Sequence, residues 1–197
     1  MARNFPNVIA PQVSADRQDS ILDAAFHAFA TYGYRRATME DIARGAGISR
    51  TALYVHYRNK EDILRRLVLR FFEQALQEIR IALDRPGQSV EQALLSAFIA
   101  KDGKFMEAVL ATPHGNELLE AGFSVTGDLI ATGEAQFIAV FADWLAQRPL
   151  PQGVGTASEV AQAIMAAVKG LKTSARTIEE YRAGQARLAR LFGLALS

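Results

Sequence analysis

The chain is 197 residues long and half of it is hydrophobic, enough to bury a sizeable core across one or two domains. It has no cysteine, which excludes a disulfide framework, a thiolate nucleophile and a cysteine-based zinc site. The net charge of +1 hides an asymmetry: residues 1–60 hold eight Lys or Arg against five acids, giving +3, and the rest hold fourteen against sixteen, giving −2. That division suits a head facing a polyanion on a mildly acidic body.

Residues 1–15 carry two prolines and little periodicity. They read as a flexible arm, and they lack the apolar core of a signal peptide. A first helix is expected from about Arg17 to Tyr32, with Ile21, Leu22, Ala25, Phe26 and Phe29 at helical spacing and Gly33 ending it. Its lone His27 reads as a surface or packed residue, and Tyr34 as packing under the two short helices beyond it.

Residues 38–60, TMEDIARGAGISRTALYVHYRNK, predict those two short helices, joined by a tight turn. Thr38 has the oxygen to cap the first, with Asp41 three positions on to favour that end. Gly47 can take the positive φ of a sharp reversal, and Ser49 can cap the second helix, which runs through Tyr57. Ala43, Gly47, Ile48 and Leu53 supply the buried skeleton of a helix-turn-helix. At about 100° per residue, Arg50, Thr51, Tyr54 and Val55 fall within roughly 140° of one another. That face offers a guanidinium, a hydroxyl with a methyl, a phenol and an apolar contact, the groups that read base edges in a major groove. An ordinary amphipathic hairpin could also show a polar face. The two caps and the basic residues Arg35, Arg36, Arg44, Arg58 and Lys60 weigh toward phosphate neutralisation and salt-sensitive DNA binding.

Asn59 can cap a further helix from Lys60 to about Asp84, with Ile63, Leu64, Leu67, Phe71, Ala75 and Ile79 along one stripe and Arg85-Pro86-Gly87 as its stop. Periodic segments come next at about 89–111, 114–121, 126–147, 156–172 and 176–195, punctuated by Pro113, Gly122, 149–155 and Ser174. With no strand-like alternation, the fold class is all-α, about nine helices. The domain division is an arm over 1–15, a three-helix DNA-binding domain over 16–62 and a helical domain over 63–197. The longest clearly apolar stretch, AQFIAVFA, is far short of a membrane span.

Arg17, Ile21-Leu22, Ala24-Ala25, Phe29, Gly33-Tyr34, Thr38, Ile42-Ala43, Ala46-Gly47-Ile48-Ser49, Leu53-Tyr54, His56-Tyr57, Lys60 and Leu64 together resemble the DNA-binding domain of TetR/AcrR-type transcriptional regulators. The match covers about a quarter of the chain, and its spacing holds across three helices without a gap. The resemblance implies a phosphate contact at Thr38, groove contacts from Ser49, Arg50, Thr51, Tyr54 and His56, and a backbone contact from Lys60. With Arg44 these are the candidate DNA-binding residues. Val55 matches a position that is often aromatic in the family. The helical wheel places His56 away from the Arg50 face.

The last two segments carry apolar stripes, Val160, Ile164, Val168 and Leu171 in one and Ile178, Tyr181, Leu188, Leu191, Phe192 and Ala195 in the other. Gly184 and Ala186 would let a neighbouring helix approach closely. Both stripes could pack on the monomer's own core. The resemblance implies instead a four-helix bundle with a second copy, and two-fold symmetry is what a helix-turn-helix protein uses to span two half-sites. Ile164, Val168, Leu171, Tyr181, Leu188, Leu191 and Phe192 are the candidate dimer residues.

The middle helices hold Phe98, Phe105, Met106, Phe123, Phe137, Phe141 and Trp144. Such residues are commonly core, yet cavities between bundle helices also bind small ligands. The resemblance implies an inducer pocket here for a hydrophobic or aromatic effector, with Lys101, Lys104, His114 and Asn116 as possible polar contacts. Ligand binding would then favour a head separation that no longer matches half-sites about 34–36 Å apart.

The expected activity is thus that of a cytoplasmic, ligand-responsive regulator, a repressor, acting as a homodimer on a palindromic double-stranded operator. No enzyme, cofactor, metal or membrane association is expected. A metal-responsive regulator using His114, Glu117 and Glu120 and a helical protein-interaction module are the alternatives. No nucleophile elbow or glycine-rich phosphate loop is present.

Overall fold

The computed structural model describes residues 10–197, with side chains from residue 17 onward except those of residues 103–105 and 108. The elements are α1 (Ala10–Tyr32), α2 (Met39–Gly45), α3 (Arg50–His56), α4 (Lys60–Leu83), α5 (Val90–Ala111), α6 (Gly115–Ala146), α7 (Ala157–Ser174) and α8 (Ile178–Ala195). Helix α6 breaks at Thr126 (φ −127°, ψ 25°), so the described residues form nine helical segments and no strand.

Two boundaries differ from expectation. Helix α1 already includes Ala10, so residues 10–15 of the expected arm are helical, while residues 1–9 lie outside the described residues. The expected break at Gly122 lies instead at Thr126, whose hydroxyl donates to the Gly122 carbonyl at 2.7 Å and competes with the helical ladder.

Side chains of the helix-starting residues fix where most later elements begin. Asn59, Ser89, Thr156 and Thr177 each accept from the backbone N–H three positions on. Gly115 is required where α5 turns into α6, because a Cβ there would collide with the Val109 carbonyl.

Two buried clusters organise the packing. The head cluster joins Ile21, Leu22, Ala25 and Phe29 of α1, Ile42 and Ala43 of α2, and Leu53 of α3 to Ile63, Leu64 and Leu67 of α4. Leu118 of α6 completes it. The body cluster gathers α4 from Ala75 to Leu83 with α5, α6, α7 and α8. Helix α4 therefore runs through both cores, and the change from one to the other falls between Leu67 and Ala75. The Trp144 indole donates to the Leu83 carbonyl at 3.1 Å, which pins the far end of α4 to α6.

By length and composition α6 could cross a membrane, which the short AQFIAVFA stretch did not suggest. Here it packs against α4 and α7, and its Phe137, Phe141 and Trp144 belong to the body core.

Candidate DNA-reading head and effector cavity

The turn between α2 and α3 depends on a few local devices. Thr38 and Asp41 cap α2 reciprocally: Asp41 N–H donates to Thr38 Oγ1 at 3.2 Å and Thr38 N–H donates to Asp41 Oδ2 at 3.1 Å. The Thr38 hydroxyl bond holds the Asp41 carboxyl below the usual carboxylate range. At the other end Gly47 (φ 65°) closes α2, with Ile48 N–H donating to the Ala43 carbonyl and Gly47 N–H to that of Arg44. Ser49 Oγ then accepts from Ala52 N–H at 3.1 Å and starts α3. A Cβ at Gly47 would touch nothing within 4 Å, so Gly47→Ala should cost only the left-handed backbone, about 1 kcal/mol in urea unfolding.

Helix α3 is held by buried Leu53, and its opposite side is open. Ser49, Arg50, Thr51, Tyr54 and Val55 are exposed, and His56 is half-buried at the helix end. The Arg50 guanidinium lies 5.6 Å from the Tyr54 ring centre and donates to the Tyr54 hydroxyl at 3.3 Å. The two side chains thus form one outward unit with donors left over. Thr38 is exposed at the α2 start, and Arg44 is exposed while paired with Asp41 at 2.5 Å.

The Lys60 ammonium is engaged within the chain. It donates to the carbonyls of Tyr34 (2.8 Å), Arg35 (2.8 Å) and Ala37 (3.3 Å) and lies 4.9 Å from the Tyr34 ring centre. All three of its N–H donors are engaged in fastening the α1–α2 loop to the start of α4. Lys60→Met should therefore lower the unfolding free energy by about 1 kcal/mol.

A cavity of about 600 Å³ lies where the two cores meet. The middle of α4 lines it with Leu67, Phe71, Phe72 and Ala75, α6 with Leu119, Phe123, Ile130 and Phe137, and α1 with Asp23, Phe26 and His27. Of the expected pocket residues, Phe123 and Phe137 line it. Phe98, Met106, Phe141 and Trp144 do not: they are buried in the packed interior, where their rings and chains fill space between helices. The Phe105 and Lys104 side chains lie outside the described residues. His114 and Asn116 are also absent from the wall; the His114 imidazole faces Glu117 at 3.7 Å. Of the possible polar contacts, Lys101 lines the cavity; Phe26, Phe71, Phe72 and Asp102 were missed, Phe26 and Phe71 because they read as ordinary core stripe.

At one end of the cavity α5 contributes Lys101 and Asp102, both buried. Asp102 Oδ2 accepts from Lys101 Nζ at 2.8 Å and from the Tyr181 hydroxyl at 3.3 Å, and Lys172 Nζ is 2.7 Å from Oδ1. Burial alone would raise the Asp102 carboxyl, but the two lysines outweigh it and the net shift is downward.

The expected dimer residues divide. Ile164, Val168 and Tyr181 are fully buried within the single chain, because α7 and α8 turn those stripes onto α5 and α6. Leu171 and Gly184 meet each other: a Cβ at Gly184 would lie 2.7 Å from Leu171 Cδ2, so the close helix approach is between α7 and α8 of one copy. Leu188 and Phe192 are half-buried against the body core, and only Leu191, 63% exposed, stands out. The open face is made instead by Ala163, Ala166 and Gly170 on α7 and by Ala183, Ala186, Leu191 and Leu194 on α8. Among the described residues no group of three His, Cys, Asp or Glu could hold a metal. Glu117 is committed elsewhere, accepting from Arg35 N–H at 2.8 Å.

The model of bacterial regulatory proteins of the tetR family matches residues 21–67. Over 106 residues the chain is 31% identical to the HTH-type transcriptional repressor KstR2 of Mycobacterium tuberculosis, covering 54% of this chain and 48% of that one. Over 51 residues it is 41% identical to IcaR of Staphylococcus epidermidis, the negative transcriptional regulator of the biofilm operon icaADBC, covering 26% and 28%. The chain spans less than half the length of these curated relatives. A putative TetR-family regulator from Mesorhizobium loti shares the fold with a TM-score of 0.65 at 21% identity, over 91% of this chain and 96% of that one. SmeT, repressor of the Stenotrophomonas maltophilia multidrug efflux pump SmeDEF, does so with a TM-score of 0.64 at 21% identity, over 90% and 88%. Residues 21–67 thus match the tetR-family model, and the chain as a whole shares the all-helical fold of solved TetR-family structures.

Proposed function

We propose that the chain is a ligand-responsive transcriptional repressor that binds a palindromic operator as a homodimer and is released by a small, mostly apolar effector. The observation that carries this reading is the exposed Arg50–Tyr54 unit on a helix capped by Ser49 and held by buried Leu53. Arg50 is a donor suited to guanine edges, Thr51 and Tyr54 suit thymine methyls and phosphates, and Thr38, Arg44, Ser49 and His56 flank the groove as phosphate contacts. A head over 16–62 and a body over 63–197 suit these two tasks, with α4 shared between them.

Two copies would meet through the open α7 and α8 face, where alanines and Gly170 allow backbones to approach and Leu191 and Leu194 offer apolar contact. The cavity offers the coupling, since its wall includes α1 residues of the head and Leu64 and Leu67 of the head core. A ligand there would push on both cores at once and change the angle at which α1 and α4 carry the head. Two further ties, Arg65 to Asp128 at 2.7 Å and Arg35 N–H to Glu117, link the first half of α6 to the head. SmeT, which shares the fold, is known in complex with triclosan.

The reading is tested by measuring duplex binding against salt. Specific complexes should weaken steeply as salt rises and contain two chains per site. A monomer at working concentration, or salt-insensitive association, would contradict it.

A further inference from the structure

On the cavity wall two lysines meet a single buried carboxylate, while Glu78, Glu134 and Asp23 are the other acids of the lining. Lys101 and Lys172 share one carboxylate, that of Asp102, and the neighbouring Lys169 and Glu134 neutralise each other at 2.9 Å. Two ammonium groups and one carboxylate leave +1 at a place walled by Phe72 and Phe137. Lys101 is 4% exposed, and among the described residues its ammonium donates one hydrogen bond, to Asp102. It also lies 4.9 Å from the centre of the Phe137 ring. An ammonium has three donors, so Lys101 has capacity to spare at the cavity wall.

We propose that the effector is an amphipathic monoanion, whose carboxylate or sulfonate seats between Lys101 and Lys172 while its apolar body lies along Phe72, Phe123 and Phe137. This rests on the reading of the cavity as the effector site and specifies the chemistry it accepts. Burial lowers Lys101 to about 8 even though Asp102 opposes the shift, as expected of an ammonium short of negative partners. An entering anion supplies that partner. A neutral ligand of the same shape leaves the charge uncompensated in a low-dielectric wall. A cationic ligand is repelled.

The test uses two fluorescent probes with the same ring system on the full-length protein: anilinonaphthalene sulfonate and its uncharged counterpart N-phenylnaphthylamine. The sulfonate should bind about 10- to 100-fold more tightly than the neutral dye. Dodecanoate should displace it better than dodecanol. Lys101→Met should remove the preference and leave neutral-dye binding in place. Lys172→Met, at a partly exposed rim position whose loss the fold tolerates more readily, should reduce it in the same direction. Equal affinity of the two dyes, or a preference unchanged in both variants with native melting behaviour, would overturn the anion site alone. Failure of both dyes to bind would overturn the cavity as an effector site and the anion site with it.

Discussion

Asp102→Ala should lower the unfolding free energy by about 3–5 kcal/mol, read by urea denaturation with the buried Trp144 as fluorescent reporter. The carboxylate is fully buried and ties three helices: Lys101 on α5, Lys172 on α7 and the Tyr181 hydroxyl on α8. Removing it strands a buried ammonium and a buried phenol without their acceptor, and such loss costs far more than the intact pair contributes. Asp102→Asn keeps an acceptor for Tyr181 and should fall between wild type and Ala. Lys101 also sets a pH signature. Its folded pKa of about 8 lies below that of an unfolded lysine, about 10.4, so between those values the unfolded chain holds the extra proton. Stability from this group therefore rises as pH increases through that window, and Lys101→Met should flatten the rise.

The second large effect concerns DNA. Arg50→Ala should cost about 1–3 kcal/mol of specific binding, and the loss should be confined to cognate sequences. The guanidinium is exposed and contributes nothing to the head core, so the melting temperature should hardly move. Tyr54→Phe removes the hydroxyl that accepts from Arg50 at 3.3 Å and should loosen the arginine's orientation, giving a smaller loss of the same kind. Lys60 behaves oppositely, since its three carbonyl contacts make it a fastening of the loop. Its replacement should reduce stability first and affect all DNA sequences alike only through the displaced head. Equal sequence discrimination in wild type and Arg50→Ala would remove Arg50 from the reading surface.

The head was legible in the sequence because each of its devices is local. Thr38 with Asp41, Gly47 with Ile48, and Ser49 with Ala52 lie within four residues of one another, and the apolar spacing of α1 needs only a helical period. The body was legible as a count of helices but not as a set of facing surfaces. Periodicity marks which side of α7 and α8 is apolar, and Ile164, Val168 and Tyr181 are equally suited to a chain's own core or a partner's. The choice depends on where α5 lies, which no local pattern records. The cavity failed for the same reason: Phe98 and Phe123 are alike in sequence, yet one is sealed inside the body and the other is 53% exposed beside an opening. Lys60 shows a further limit, since its three carbonyl partners lie 23 to 26 positions away, beyond the reach of any local pattern.

The measurement that bears most directly on the central claim is selection of duplexes from a random pool by the full-length chain, followed by the stoichiometry of the selected complex. The account predicts an enriched inverted repeat whose half-sites lie about one helical turn apart, two chains bound per duplex, and loss of the enrichment in Arg50→Ala. No enriched sequence, one chain per duplex, or an enrichment indifferent to Arg50 would contradict it.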